Sequence, residues 1–179
     1  TEPRVIRPAN YPGEVPGRGT GVFKTNTGTT VGIINLEGRV FMNDLDCPFQ
    51  AADRLVEELG EADVIIVDIH AEATSEKMAL AWYLDGRVAA VIGTHTHVQT
   101  ADERILSEGT AFISDVGMTG SRDGVIGMRR EPIIEKFLTQ RPTRFEVAKK
   151  DPMLCAVVVD IDEATGKARQ IERVMELSI

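Results

Sequence analysis

All three histidines of this 179-residue chain follow apolar runs that predict buried strands. His70 ends the run "VIIVDIH", and His95 and His97 come directly after "VAAVIGT". Functional groups in open α/β sheets gather beyond the carboxyl ends of such strands. Neutral imidazole is a strong ligand for zinc, iron and manganese, so these positions favour one shared metal site. Each histidine can also be a polar residue that is simply hydrogen-bonded within the fold, and the pattern alone leaves both interpretations open.

The spacing of His95 and His97 bears on how such a site would be built. In extended backbone, side chains alternate, so an H-x-H pair presents both rings on one side and turns Thr96 away. His70, on the neighbouring strand, then provides a third ring close to the same point.

Acidic residues surround these histidines in the sequence. Asp68 alternates onto the side of His70, and Asp115 ends the run "TAFISD". Both are candidates to orient the ring of a metal-bound histidine by accepting a hydrogen bond from its other nitrogen. Asp68 can equally cap a turn, and Asp115 can be structural. Glu72 and Glu76 are expected at the start of a helix, where carboxylates are favoured.

The composition restricts the possible partners. A net charge of −8 argues against duplex DNA or RNA held by charge alone, but not against a small phosphate substrate at a metal. Two cysteines in a chain of this size predict no disulfide framework and are typical of a reduced, cytoplasmic protein. We find no signal peptide and no apolar run of bilayer length. The first residues, without an initiator Met, indicate an internal start.

The elements that must position these residues alternate between strands and helices, which predicts an α/β fold with mixed sheets. "MALAWYL", with Trp82 and Tyr83, predicts core packing, and the Gly-rich "GMTGSRDGVIGM" predicts a turn system or a loop near substrate. The first elements expected are a short strand at Val5 and Ile6, a Pro/Gly loop, a hairpin around "NTG" and a helix starting at Pro48. They are followed by the strand "VIIV" and by a helix that is capped by Thr74 or Ser75 and stopped by Gly86. The last elements are strands in "VAAVIG" and "TAFISD", a helix with Pro132 in its first turn, and a hairpin turning at "EATGK".

Two long motifs carry a resemblance. "DIHAEATSEKMALAWYLDGRVAAVIGTHTHVQTADERIL" and "GTAFISDVGMTGSRDGVIGM" closely resemble the YmdB-like family of bacterial metallophosphoesterases, within the calcineurin-like superfamily. The similarity runs from "RPANYP" through "INLEGRVF" to "VVVDID" and "IERV", so it covers nearly the whole chain.

The resemblance implies a mixed β-sandwich flanked by helices, with a two-metal site between the sheets. It implies hydrolysis of phosphodiesters, with 2′,3′-cyclic nucleotides as the expected substrates. Iron or manganese is the metal pair it favours, and zinc is the further candidate. Carried over by position, His70 and His95 would bind one metal and His97 the other.

Other family motifs are not found in these residues. The family has an early Asp, an Asn-Gly-Glu-Asn segment and a Gly-Asn-His segment, whose side chains supply further metal ligands and the proton donor. We therefore expect residues 1–179 to be a single domain, the N-terminally incomplete, C-terminal two-thirds of the family fold. We expect weak or no activity from this chain alone, and self-association through exposed sheet edges. The alternative is a non-catalytic regulatory or binding module on the same scaffold. An amidohydrolase would need more histidines than three.

Overall fold

A six-stranded sheet contains the predicted buried strands at its centre. The computed structural model describes residues 2, 4–13 and 15–177. The sheet order is β1-β2-β3-β4-β6-β5, in which β2, β3, β4 and β6 run parallel and the two edge strands run antiparallel. The bounds are β1 Thr20–Lys24, β2 Thr30–Glu37, β3 Val64–His70, β4 Ala90–Thr94, β5 Arg104–Ile105 and β6 Ala111–Ile113.

A second, antiparallel sheet follows, in the order β7-β8-β9. Its strands are β7 Thr119–Ser121, β8 Pro152–Asp162 and β9 Lys167–Leu177. The C-terminal hairpin predicted around "EATGK" is confirmed by the pairing of β8 with β9. Strands β5 and β7 escaped sequence reasoning because two or three residues are too few to show a period-two pattern.

Three helices lie between the strands: α1 Pro48–Glu58, α2 Thr74–Tyr83 and α3 Arg130–Thr139. The first two cover one face of the large sheet, and their apolar residues form the main core with that face. Its fully buried members include Ile34, Leu36, Val67, Ile69, Leu80 and Phe112. The prediction of a side-chain cap at Thr74 or Ser75 is wrong, since Ala73 occupies the N-cap and makes no side-chain bond.

The opposite face of the large sheet packs against the β8–β9 hairpin. Ala90 and Ala111 meet Ala168 there, with Ile66, Ile92, Val159 and Ile171 around them. Small alanines let the two sheets approach closely, and branched residues fill the remaining space. The prediction of a mixed α/β sandwich flanked by helices is therefore confirmed.

Some local predictions are wrong. Val5 and Ile6 form no strand, because that segment is held by isolated backbone bonds such as Arg7 N–H to the Arg18 carbonyl. Trp82 and Tyr83 are 51% and 46% exposed, because they lie on the outer side of α2. Position 14 of the predicted Pro/Gly loop lies outside the described residues. None of the helices in the described part of the chain has the length and apolar character needed to cross a bilayer.

Candidate functional site

The candidate site lies where the central parallel strands end. His70 is the last residue of β3, and it pairs in register with Thr94 at the end of β4 and Glu37 at the end of β2. Parallel strands place their carboxyl ends at the same edge, so these three residues meet there. Asp68, two residues earlier on β3, shares their face because side chains alternate.

His70 and His95 form the centre of the site. His70 Nε2 lies 3.0 Å from His95 Nδ1, and the two rings meet edge to face at 79°. On the other side of the ring, His95 Nε2 lies 3.0 Å from Glu72 Oε2. The structure therefore joins two predicted ligands and adds Glu72, for which the sequence predicts only a place at the start of a helix.

A hydrogen-bond relay sets the protonation of His70. Thr94 Oγ1 donates to Asp68 Oδ1 at 2.9 Å, so its lone pairs are left to accept from His70 Nδ1 at 3.1 Å. Asn35 Nδ2 donates to the other oxygen of Asp68 at 2.7 Å. With the proton on Nδ1, His70 Nε2 presents a lone pair toward His95. Asp68 thus acts on His70 through Thr94 rather than by direct contact.

Burial shifts the titration of both ends of this relay. It raises the pKa of the Asp68 carboxyl above its usual value, and the hydrogen bond from Thr94 opposes this rise in part. The pKa of His70 lies below its ordinary value of 6.5, first because burial disfavours the charged ring and second because His95 is close. The carboxylates of Asp68 and Glu37 oppose that shift. His70 is therefore neutral at neutral pH, which is the form that binds metals.

The segment from His95 to His97 is a strained turn and not an extended strand. Strand β4 ends at Thr94, and the backbone φ angles of His95 and His97 are +121° and +65°. Such angles are rare for residues with a side chain and cost of order 1–3 kcal/mol each. The expectation that both rings face the same side in extended backbone is therefore wrong. The ring of His97 turns instead to the Gly-rich loop, with Nδ1 3.2 Å from the Ile126 carbonyl.

Asp115 supports the backbone of this turn rather than a histidine ring. Its carboxylate accepts from the Thr96 amide at 2.8 Å and from the Gly117 amide at 2.9 Å. Lys77 Nζ completes the arrangement at 3.1 Å from Asp115 Oδ2, and both side chains are 1% exposed. In the sequence, Lys77 stands out only as part of the motif "TSEK", because its partner Asp115 lies 38 residues further along the chain.

A buried carboxylate borders the site on the side of β2. Glu37 is 6% exposed and accepts from the hydroxyl of Tyr11 at 2.9 Å. The sequence gives no signal for Glu37, because it ends a strand, "TVGIINLE", that contains no histidine. Its position opposite His70 depends on the parallel pairing of β2 with β3.

The geometry fits part of a metal-ligand set. Among the described residues, no three His, Cys, Asp or Glu side chains converge as a complete metal site. His70 Nε2 and His95 Nδ1, 3.0 Å apart, are the imidazole nitrogens that would hold a divalent metal here. If His95 Nδ1 instead donates to His70, its Nε2 lone pair faces the Glu72 carboxylate, and a proton or metal cation must lie between them. The three side chains therefore suit a cation as well as a proton.

Comparisons of the sequence point to one family. A family model described as YmdB-like protein matches residues 1–174. The chain is 55% identical, over 174 residues, to a protein of Bacillus subtilis (strain 168) named 2′,3′-cyclic-nucleotide 2′-phosphodiesterase. That match covers 97% of this chain and 66% of the Bacillus protein, so the chain spans somewhat less than two thirds of this relative's length.

Comparisons of the fold agree with those of the sequence. A crystal structure of a hypothetical protein from Thermus thermophilus superposes with a TM-score of 0.92 at 43% identity, covering 97% of this chain and 68% of that one. A structure described as a novel phosphatase from Mycoplasma pneumoniae gives a TM-score of 0.88 at 36% identity, covering 96% and 63%. The two-sheet arrangement is thus shared with a solved phosphatase structure.

Proposed function

Because this chain belongs to the YmdB-like family, we propose that its protein is a metal-dependent phosphodiesterase that hydrolyses 2′,3′-cyclic nucleotides. The observation that carries the proposal is the contact of His70 with His95 at the strand ends, with Glu72 on the far side of His95. The name of the Bacillus relative supports the substrate class. The charge of −8 agrees with a small phosphate ester and not a duplex nucleic acid as substrate.

The proposed metals are two divalent cations, with iron or manganese favoured over zinc. Divalent cations supply Lewis acidity at the phosphate and make water easier to deprotonate. In this proposal His70 and His95 would hold one metal and His97 the other, which would require the His97 ring to turn away from the Ile126 carbonyl. Each metal binds imidazole in its neutral form, and burial favours the neutral form of His70.

The surrounding side chains hold these ligands in place. Thr94 and Asp68 keep the proton of His70 on Nδ1, so that Nε2 stays available. Glu72 orients the ring of His95 and offsets positive charge. Hydrogen bonds of this kind set the tautomer and the orientation of a metal-binding histidine ring. The orientation of the ring in turn determines where a phosphate ester can be held.

The proposal extends to the state of the protein in the cell. We propose a cytoplasmic protein that acts on small nucleotides and forms a homo-oligomer. The exposed apolar residues Phe137 and Leu138 on α3 support self-association, since monomers rarely expose such neighbours together. The alternative of a non-catalytic module finds no support in the names of the relatives described above.

Hydrolysis of 2′,3′-cyclic AMP by the full-length protein with added Mn²⁺ tests the proposal. We expect His70→Ala and His95→Ala each to lower kcat/KM at least ~100-fold, because each removes an imidazole of the central pair. Asp53→Asn, at an exposed ion pair with Arg87, is the matched control and should retain the activity. Wild-type turnover by both histidine variants would refute the proposed site.

A further inference from the structure

Lys77, at 1% exposed, is one of the largest side chains that are buried in the described part of the chain. A lysine is almost never fully buried unless its charge is paired, because removing an ammonium from water is unfavourable. On α2 it follows Glu76, and both side chains point inward from the first turn of the helix. Hydrophobic packing does not explain why the charged ammonium of Lys77 is buried here.

Both side-chain hydrogen bonds of Lys77 go to the backbone turn around His95 or to the carboxylate that holds it. Nζ donates to the backbone carbonyl of Thr94 at 3.1 Å and to Asp115 Oδ2 at 3.1 Å. Asp115 in turn accepts from the Thr96 amide at 2.8 Å through the same oxygen. The buried pair therefore binds the backbone immediately before His95 and immediately after it.

The turn between these two points needs such support. His95 and His97 both have positive φ angles, so their backbone relaxes unless neighbouring groups determine it. Strand β4 ends at Thr94, whose carbonyl also accepts from the Ala71 amide at 3.3 Å, so the strand itself does not include the backbone from His95 to His97. The Lys77–Asp115 pair supplies a donor to the Thr94 carbonyl before His95 and an acceptor for the Thr96 amide after it.

Gly93 shows that the lysine stem shapes the strand beside it. A Cβ at Gly93 would lie 2.8 Å from Lys77 Cδ, and it would also overlap the backbone carbonyl of Ser114. Only glycine at this position leaves room for both the Ser114 carbonyl and the lysine stem. The glycine of "GTHTH" and the lysine of "TSEK" thus belong to one spatial arrangement.

We propose that Lys77 is a positioning residue, which holds the strained turn of His95 and His97 through Asp115 and the Thr94 carbonyl. Removing the ammonium leaves the Asp115 charge buried without its cation, so the carboxylate turns toward water and releases the Thr96 amide. The two histidine rings then lose their fixed direction. Lys77 touches neither ring, so its role is indirect.

Backbone amide hydrogen exchange in the full chain, without metal or substrate, tests this role independently of the proposed function. Lys77→Met keeps the length of the stem and removes its donors. We expect exchange at Thr96 to accelerate at least ~10-fold more than exchange at Val67, a core residue of β3 that reports global unfolding. Lys24→Met, at an exposed lysine on β1, is the matched control and should leave Thr96 unchanged.

A second variant keeps the test decisive if Lys77→Met does not fold. Lys77→Met combined with Asp115→Asn buries no unpaired charge. Asparagine offers one acceptor oxygen where aspartate offers two, so the amide of Thr96 or of Gly117 should exchange at least ~10-fold faster than in the wild type. The proposal is overturned if Thr96 accelerates only as much as Val67 in the single variant. It is equally overturned if both amides keep wild-type protection in the double variant.

Discussion

At the scale of single residues, the site depends on which nitrogen of His70 holds the proton. Thr94 has one hydroxyl hydrogen and gives it to Asp68, and this fixes the bond from His70 Nδ1. The free lone pair on Nε2 then faces His95. Through the Thr94 hydroxyl, the buried Asp68 carboxylate thus determines which tautomer the His70 ring adopts.

The lowered pKa of His70 predicts how stability changes with pH. Unfolded His70 titrates near 6.5 and folded His70 at a lower pH, so the unfolded chain binds more protons between those values. The free energy of unfolding should therefore fall as the pH falls below about 6.5. Urea unfolding of metal-free protein at about pH 7.5 and about pH 5.5, on either side of the ordinary histidine value, measures this.

His70→Gln, which does not titrate in that window, should reduce the pH dependence. Arg54→Gln, at an exposed position on α1, is the control and should leave it unaltered. An equal pH dependence in wild type and His70→Gln would contradict the expected direction of the shift.

At the scale of elements, the first turn of α2 organises both loops beside the site. Glu76 is 8% exposed, and its carboxylate accepts from the amides of Arg39 and Val40 at 3.0–3.2 Å. Lys77, the next residue, holds the turn after β4. Buried charges at the start of a helix here replace the apolar residues that a simple amphipathic pattern predicts.

Strand β4 gives the prediction at this scale. Gly93→Ala should lower the free energy of unfolding by about 3 kcal/mol, because the added methyl overlaps Ser114 and crowds Lys77. Gly120→Ala in β7 is the matched control, since the nearest atom to its added Cβ is Met118 Sδ at 3.4 Å. Urea unfolding followed by circular dichroism compares the two. Similar losses for both variants would show that Gly93 has no special packing role.

Most elements were predictable from the sequence, and the contacts between them were not. The run "VIIV" and the Pro48 helix start follow from local rules and are confirmed. Local rules put Trp82 in the core, whereas α2 turns it outward because small residues such as Ala81 face the sheet. Burial of a helix face depends on what packs against it, which no single segment contains.

At the scale of the whole molecule, the sandwich leaves α3 outside both sheets. Ile134, Phe137 and Leu138, spaced by three and four residues, are 52%, 74% and 80% exposed. Residues at this spacing lie on one side of a helix, so they form a continuous apolar stripe. A second copy of the chain is the partner that our proposal of a homo-oligomer assigns to this stripe.

Multi-angle light scattering tests that assignment. Replacing Phe137 and Leu138 together by serine should convert the oligomer to a monomer, because the apolar area driving association is lost. Phe41→Ser, at a phenylalanine that is 91% exposed in the loop after β2, is the control and should keep the wild-type mass. An unchanged mass for the double variant would exclude this stripe as the interface.

The sequence by itself determined the longer strands and the placement of His70 and His95 at or directly after strand ends, because these follow from local hydrophobic patterns. The tertiary structure decided what those histidines contact. It joined His70 to His95, turned His97 toward Ile126, and paired Lys77 with Asp115 across 38 residues. The physical reason is that parallel strands align distant segments at one edge, where strained backbone and buried charges are held by partners that no local pattern specifies.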